Sequence, residues 1–183
     1  VRDDDDNGVL AGFSSPSVST GAQLGDVTGV MGYNFGNYEV VAPEAYTVEQ
    51  QSALQKEVTT LEGSVDRLTV ASYNAENLDP NDGAARFNTI AQEIVTNLKT
   101  PDIISLQEVQ DNDGPGNASG SSVTSASQTL QMLVDALNAA APEGVEYAFL
   151  DNPFIGDDRN GGEGGGNIRT AFVYRIDRVD FVD

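Results

Sequence analysis

Two apolar segments on either side of an amphipathic one limit this chain more than any other feature. Residues 68–78 read L-T-V-A-S-Y-N-A-E-N-L and residues 101–109 read P-D-I-I-S-L-Q-E-V. Both are strand-like, and both end on polar residues, Asn74-Ala75-Glu76 in the first and Gln107-Glu108 in the second. Between them, Phe87, Ile90, Ala91, Ile94, Val95 and Leu98 fall at i, i+3, i+4, i+7, i+8 and i+11. That is one apolar face of a helix, which Pro101 would stop. Strand, helix and strand at this spacing predict a βαβ unit, with a right-handed crossover expected. Ligands of open α/β sheets bind beyond the carboxyl ends of the strands. Asn74 and Glu108 are therefore expected to meet there. An amide oxygen beside a carboxylate is a hard donor set that suits Mg²⁺ or Ca²⁺ rather than a soft metal. Taken alone, Glu108 reads as a surface carboxylate past a strand end, and the second polar cluster is what favours the metal reading.

The remaining elements follow from the same patterns. Residues 24–41 carry the β-formers Val27, Val30, Tyr33, Phe35 and Tyr38, punctuated by Gly25, Gly29, Gly32 and Gly36. They predict a bent hairpin or the end of a small barrel, with glycines at corners or bulges. Thr47-Val48-Glu49-Gln50 matches a capping box. With Leu54, Val58 and Leu61 near helical spacing and Gly63 as a stop, residues 46–65 read as a short helix or linker. Asp79-Pro80-Asn81-Asp82-Gly83 is turn chemistry. Residues 111–127 are polar and rich in Gly, Ser and Asn, with mobility expected, and contain the sequon Asn117-Ala118-Ser119. Leu130, Leu133, Val134 and Leu137 mark a second helix, ending near Pro142. Residues 145–150 and 168–174 read as strands on either side of a Gly/Asp-rich loop, and residues 178–182 as the start of another. The expected organisation is a β-rich piece over 1–45, a connector over 46–65 and an α/β domain over 66–183, an α+β fold class overall.

The net charge is −20, from 29 acidic and 9 basic residues. Such a surface stays soluble and repels nucleic acid at long range. Adaptation to a saline or calcium-rich medium accounts for it, and divalent-cation binding is compatible with it. Asp3, Asp5 and Asn7 before Gly8 alternate like part of a calcium loop, but the glutamate that would complete an EF-hand is missing, so an acidic tail is the simpler reading and structural Ca²⁺ the second. The chain has neither Cys nor His. A disulfide framework, a His-based triad and a His-ligated zinc are thus excluded within these residues. No apolar run is long enough for a membrane span. Val1 followed by Arg2-Asp3-Asp4-Asp5-Asp6 does not read as a signal peptide, so an internal or processed piece of a longer protein is expected.

Arg169 is one of few basic residues and sits in an apolar strand just after Gly164-Gly165-Gly166. Two readings stand level. A guanidinium beside a glycine-rich approach could grip a phosphate at two points, or it could form a structural ion pair with one of the many acids.

L-T-V-A-S-Y-N-A-E-N-L, D-I-I-S-L-Q-E-V and G-G-N-I-R-T-A-F-V-Y-R, in this order, resemble the endonuclease/exonuclease/phosphatase superfamily, the deoxyribonuclease-I-like fold, and most closely its secreted bacterial extracellular-nuclease branch. The resemblance runs from about residue 68 to residue 182. G-D-V-T-G-V-M-G-Y-N-F-G-N-Y-E-V resembles the oligonucleotide-binding-fold-like module that precedes the catalytic domain in that branch. The resemblance implies a sandwich of two mixed sheets with flanking helices, secretion, and Mg²⁺- or Mn²⁺-dependent hydrolysis of phosphodiester bonds in DNA or RNA. It implies Glu108 as metal-binding glutamate and Asn74 as the asparagine that orients the metal site and the scissile phosphate. Glu76 would be a second acidic metal contact, and Arg169 and Asn167, in the third block, substrate-phosphate contacts. The family's Gly-Asp-x-Asn segment and its two histidines are not in the sequence. The chain is therefore expected to be the N-terminal half of a longer enzyme, inactive without its C-terminal half. The alternatives are a phosphatase or phospholipid phosphodiesterase of the same superfamily, or a non-catalytic surface or adhesion module on the same fold.

Overall fold

A computed structural model describes residues 16, 18–42, 45–115 and 121–182. The acidic stretch around Asp3 and the sequon at Asn117 lie outside these residues. The chain divides into two compact units, Val1–Lys56 and Glu57–Asp183.

The first unit holds two antiparallel pairs. Strand β1 (Gln23–Leu24) pairs with β4 (Val48–Gln50), and β2 (Val30–Asn34) pairs with β3 (Asn37–Val41). Phe35 and Gly36 form the two-residue loop of the β2–β3 hairpin, with φ of 46° and 82°. Left-handed geometry at both positions matches the twist of the flanking strands. Tyr33 and Tyr38 face each other across the hairpin in an edge-to-face contact, ring centroids 5.0 Å apart.

The capping-box reading of residues 47–50 is corrected here, because Val48–Gln50 is a strand. A box of four residues specifies little by itself, and pairing with Gln23–Leu24 satisfies the same backbone groups. No helix follows. Leu54, Val58 and Leu61 are 70%, 52% and 70% exposed, so their spacing marks no buried face.

The second unit is built on a four-stranded mixed sheet in the order β5-β6-β8-β7. Its strands are β5 (Val70–Leu78), β6 (Ile103–Val109), β7 (Tyr147–Leu150) and β8 (Arg169–Arg175). Strands β5 and β6 are parallel, and helix α1 (Gly83–Thr96) connects them, which is the βαβ unit that the periodicity predicts. Strand β8 runs antiparallel to both β6 and β7. Helix α2 (Ser127–Ala140) lies between β6 and β7 in the chain.

The core has one side. Phe87, Ile90 and Ile94 of α1 and Leu130, Leu133 and Leu137 of α2 share a single cluster with Ile104, Leu106, Ala171 and Val173 of the sheet. Each of the Phe, Ile, Leu and Val side chains among these contributes about 1.5–3 kcal/mol by leaving water. The other face of the sheet carries Val70, Ser72 and Asn74 of β5 in register with Ile103, Ser105 and Gln107 of β6. Val70 is 67% exposed and Phe172 44%. The architecture is α+β. Among the described residues, unit two has this one sheet, and the second layer of a sandwich is not among them.

Several helix and loop details were not anticipated. Helix α1 ends at Thr96, before Pro101 acts, because Lys99 and Thr100 turn left-handed (φ 57° and 51°). A 3-10 turn, Pro80–Asp82, precedes it. There the Asp79 carboxylate accepts from the Asn81 N–H at 2.6 Å, and the Asp82 carboxylate accepts from the Asp79 N–H at 3.1 Å. Gly114 (φ 60°) lies so close to Asp79 that a Cβ on it would sit 2.5 Å from the carboxylate. Residues 110–115 and 121–126 contribute buried groups and hydrogen bonds to the unit. Asp111 is fully buried, the Asn112 N–H donates to Ser125 O, and Thr129 Oγ1 donates to Asp111 O. Residues 178–182 are not a strand, because a turn at 176–178 ends β8 and commits Arg178 elsewhere.

That commitment is to Asp102, which ties the amino ends of β5 and β6 to the turn after β8. Its carboxylate, 2% exposed, accepts from the Thr69 N–H (2.7 Å), Thr69 Oγ1 (3.0 Å) and Arg178 Nε (3.0 Å), with Arg175 Nη1 at 3.5 Å. Burial alone would push this carboxyl up. The Thr69 hydrogen bonds and the Arg178 charge outweigh it and hold the group below the usual carboxylate range. The unfolded chain therefore binds the proton more readily, so the stabilisation is present above the ordinary carboxylate pKa and is lost as pH falls through the lowered one. In Asp102→Asn, urea unfolding at neutral pH should show a loss of about 3 kcal/mol. The wild type's acid-side decline below pH ~4 should flatten in the variant. An unchanged acid limb would place the linkage on another carboxylate.

Candidate functional site

The carboxyl ends of β5 and β6 are both irregular. Their pairing is regular from Val70↔Ile103 to Asn74↔Gln107 and then shifts before Leu78↔Val109. The β6–β8 ladder shifts between Leu106 and Val109. Glu76, Asn77 and Glu108 take left-handed φ of 55°, 58° and 55°. Such a conformation is uncommon for residues with a Cβ, and where the fold imposes it the side chain is re-aimed. Strain of this kind clusters at ligand sites.

The structure brings Asn74 and Glu108 together. Asn74 Nδ2 donates to Glu108 Oε1 at 2.9 Å, while Asn74 Oδ1 accepts from the Glu76 N–H at 2.8 Å. Its amide oxygen thus accepts from the bulge while its amide nitrogen holds the Glu108 carboxylate in place. Beside them, Gln107 bridges to Ser72 Oγ (3.1 Å) and to Ser105 O (2.9 Å). Gln107 and Glu108 line an open cleft of ≈ 400 Å³ with Asn152, Ile155, Asn160, Ile168, Arg169 and Thr170.

Three other sequence candidates are placed differently. The carboxylate of Glu76 pairs with Arg86 at 3.0 Å, and the same guanidinium also donates to Ala75 O. It does not join Glu108. Among the described residues, no group of three or more acids, His or Cys could hold a metal ion. Arg169 is a buried structural ion pair, its side chain only 1% exposed. Nη1 lies 3.3 Å from Asp151 Oδ1, and Nη2 donates to Asn167 O. It lines the cleft with its guanidinium engaged by Asp151 and Asn167 O. Asn167 is 2% exposed with φ 44°. Its Nδ2 donates to Asp111 Oδ2 and Val123 O, and its Oδ1 accepts from the Asp158 N–H. All its polar atoms go to knitting loops together.

The pattern reading missed that loop network. Asp111, buried beneath it, has its carboxyl pushed up, first by burial and then by the neighbouring Asp113 carboxyl. Gly166 packs against the Gln110 side chain so closely that a Cβ on it would meet Oε1. The available signal was a run of glycines beside Asn and Asp, which marks left-handed backbone and side-chain-to-backbone bonding but not which residues become buried.

Glu108 alone can still anchor a hard cation. Mg²⁺ sites commonly use one or two carboxylates, with waters and substrate phosphate oxygens completing the shell. The carboxylate is held through Oε1 only, and the cleft it borders offers the neutral polar groups of Gln107, Asn152, Asn160 and Thr170 beside Ile155, Ile168 and the Asp151-paired Arg169. The donor set fits such an ion.

A family model described as a domain of unknown function (DUF8508) matches residues 2–52. No curated protein matches the chain. Among solved structures, the chain is similar to an endonuclease/exonuclease/phosphatase family protein from Bacteroides thetaiotaomicron. The two are 26% identical, with a TM-score of 0.35, over 63% of this chain and 34% of that one. The chain spans about a third of that protein's length.

Proposed function

We propose that the second unit carries the glutamate-bearing part of a divalent-metal phosphodiesterase site, as part of a secreted nuclease acting on DNA or RNA. The observation that carries this reading is the Asn74–Glu108 hydrogen bond at the ends of two parallel strands. The three motif blocks that resemble the superfamily support it. Glu108 would hold Mg²⁺ or Mn²⁺, and Asn74 would keep the carboxylate turned to the cleft. The ion, when bound, would polarise a phosphoryl oxygen and stabilise charge on the leaving oxygen. Gln107, Asn152, Asn160 and Thr170 supply neutral polar groups along the wall. The proton-transfer groups would come from a further part of the same protein.

One observation favours a second reading, a non-catalytic surface module on the same fold. The only guanidinium in the cleft lining, Arg169, is sealed against Asp151. Affinity for nucleic acid rests largely on neutralising phosphates, so substrate binding would depend on the ion and on groups outside this chain.

Titrating Mn²⁺ into isotope-labelled chain separates the two. Paramagnetic broadening should begin at the amides of residues 74–76 and 106–109. Glu108→Gln should abolish that focus while leaving the remaining spectrum in place. Asn74→Ala should weaken it about tenfold, the usual effect of losing a group that orients a ligand. Broadening confined to other acidic segments would remove Glu108 from the site.

Arg169→Ala should lower the unfolding free energy by about 2 kcal/mol, because it removes a buried guanidinium from Asp151 and Asn167 O, while the Ala126 and Asn152 N–H groups still donate to Asp151. At subdenaturing temperature the Mn²⁺ focus should persist. A fully stable variant that has instead lost phosphate-ester affinity would restore the phosphate-grip reading.

A further inference from the structure

The opposite end of the sheet carries a second cleft, of ≈ 240 Å³, lined by Gly63, Ser64, Thr69, Lys99, Thr100, Asp102, Arg175 and Arg178. Three of the chain's nine basic residues line this one place. Asp102 precedes β6 and Glu108 lies near its end, so these two residues are about 20 Å apart along the strand.

Much of this positive charge is already committed. Asp102 engages Arg175 and Arg178, Asp177 takes Arg175 in a two-point grip, and Glu62 takes Lys99 at 3.1 Å. The donors are not exhausted, however. Arg178 uses Nε on Asp102 and Nη2 on Ser64 O and Arg67 O, and its Nη1 makes no hydrogen bond among the described residues. Lys99 has three donors and spends one, on a carboxylate that is 77% exposed. The hydroxyls of Ser64 and Thr100 donate to no described residue. These unspent donors line one concave surface, and Asp102, the only acid in that lining, is saturated by its own partners.

We infer that this cleft is a binding site for a tetrahedral oxyanion, a free or terminal phosphate group, held by Lys99, Arg178 Nη1, Ser64 and Thr100. The chain's −20 charge does not forbid it. Exposed charges beyond about 8 Å are largely screened at physiological ionic strength, so the local balance decides, and locally three cations face three carboxylates. An incoming oxyanion would compete with Glu62, the most exposed of those carboxylates, for Lys99. Arg178 would keep its bonds to Asp102, Ser64 O and Arg67 O and offer Nη1.

The test uses isotope-labelled full chain titrated with inorganic phosphate, and separately with a short 5′-phosphorylated oligonucleotide, each against sodium chloride at matched ionic strength. The expected result is saturable shifts at the amides of Gly63, Ser64, Lys99 and Thr100 with one or both phosphates and not with chloride. Inorganic phosphate alone would assign the site to the free ion, and tighter binding of the oligonucleotide to a terminal phosphate. Lys99→Gln, which leaves the Asp102 knot intact, should weaken binding about tenfold or more. Thr100→Val should weaken it by a smaller factor. Equal shifts with chloride, or an affinity unchanged in Lys99→Gln, would overturn the inference.

Discussion

Parallel pairing of β5 with β6 is the constraint from which the rest of the second unit follows. Parallel neighbours need a crossover, and α1 supplies it. Once Asn74 is in register with Gln107, any residue just past those positions projects from the same edge of the sheet. The bulges then finish the arrangement, because left-handed turns at Glu76, Asn77 and Glu108 break the alternation that would otherwise send successive side chains to opposite faces. The Asn74–Glu108 contact is thus a product of backbone register first and of side-chain chemistry second.

The two ends of this sheet use charge in different ways. At the amino ends, Asp102 collects four donors and is buried almost completely, so its charge works as a clamp. At the carboxyl ends, Glu108 is steadied by one amide and borders an open cleft. A carboxylate with every lone pair answered has nothing left for a ligand. One that is steadied on a single oxygen keeps coordination capacity. Arg169 shows the same principle for a cation, since its guanidinium is engaged by Asp151 and Asn167 O.

What the sequence revealed depended on the range of the interaction. Both helices of the second unit, its four strands and the β2–β3 hairpin follow from local periodicity and turn chemistry, and the structure has them. Residues 47–50 went astray because a capping box and a short edge strand share the same residues, and the partner that decides, Gln23–Leu24, lies far off in the chain. Residues 178–182 went astray for a similar reason, since Arg178 answers to Asp102 and not to its neighbours. The convergence of Asn74 and Glu108 was legible because strand ends are local features. The burial of Asn167 and Arg169 and the turning of Glu76 toward Arg86 were not, because pairing among so many acids and so few bases is settled only in three dimensions.

The near-contact of Gly114 with Asp79 has a consequence for how freely this chain could vary. Loops usually accept substitution because little leans on them. Here the first residues after β6 rest against the acid that organises the turn into α1. Even a methyl group at position 114 would press on the entry of the crossover helix, far away along the chain. Two segments that look like independent punctuation are thus bound to drift together or not at all.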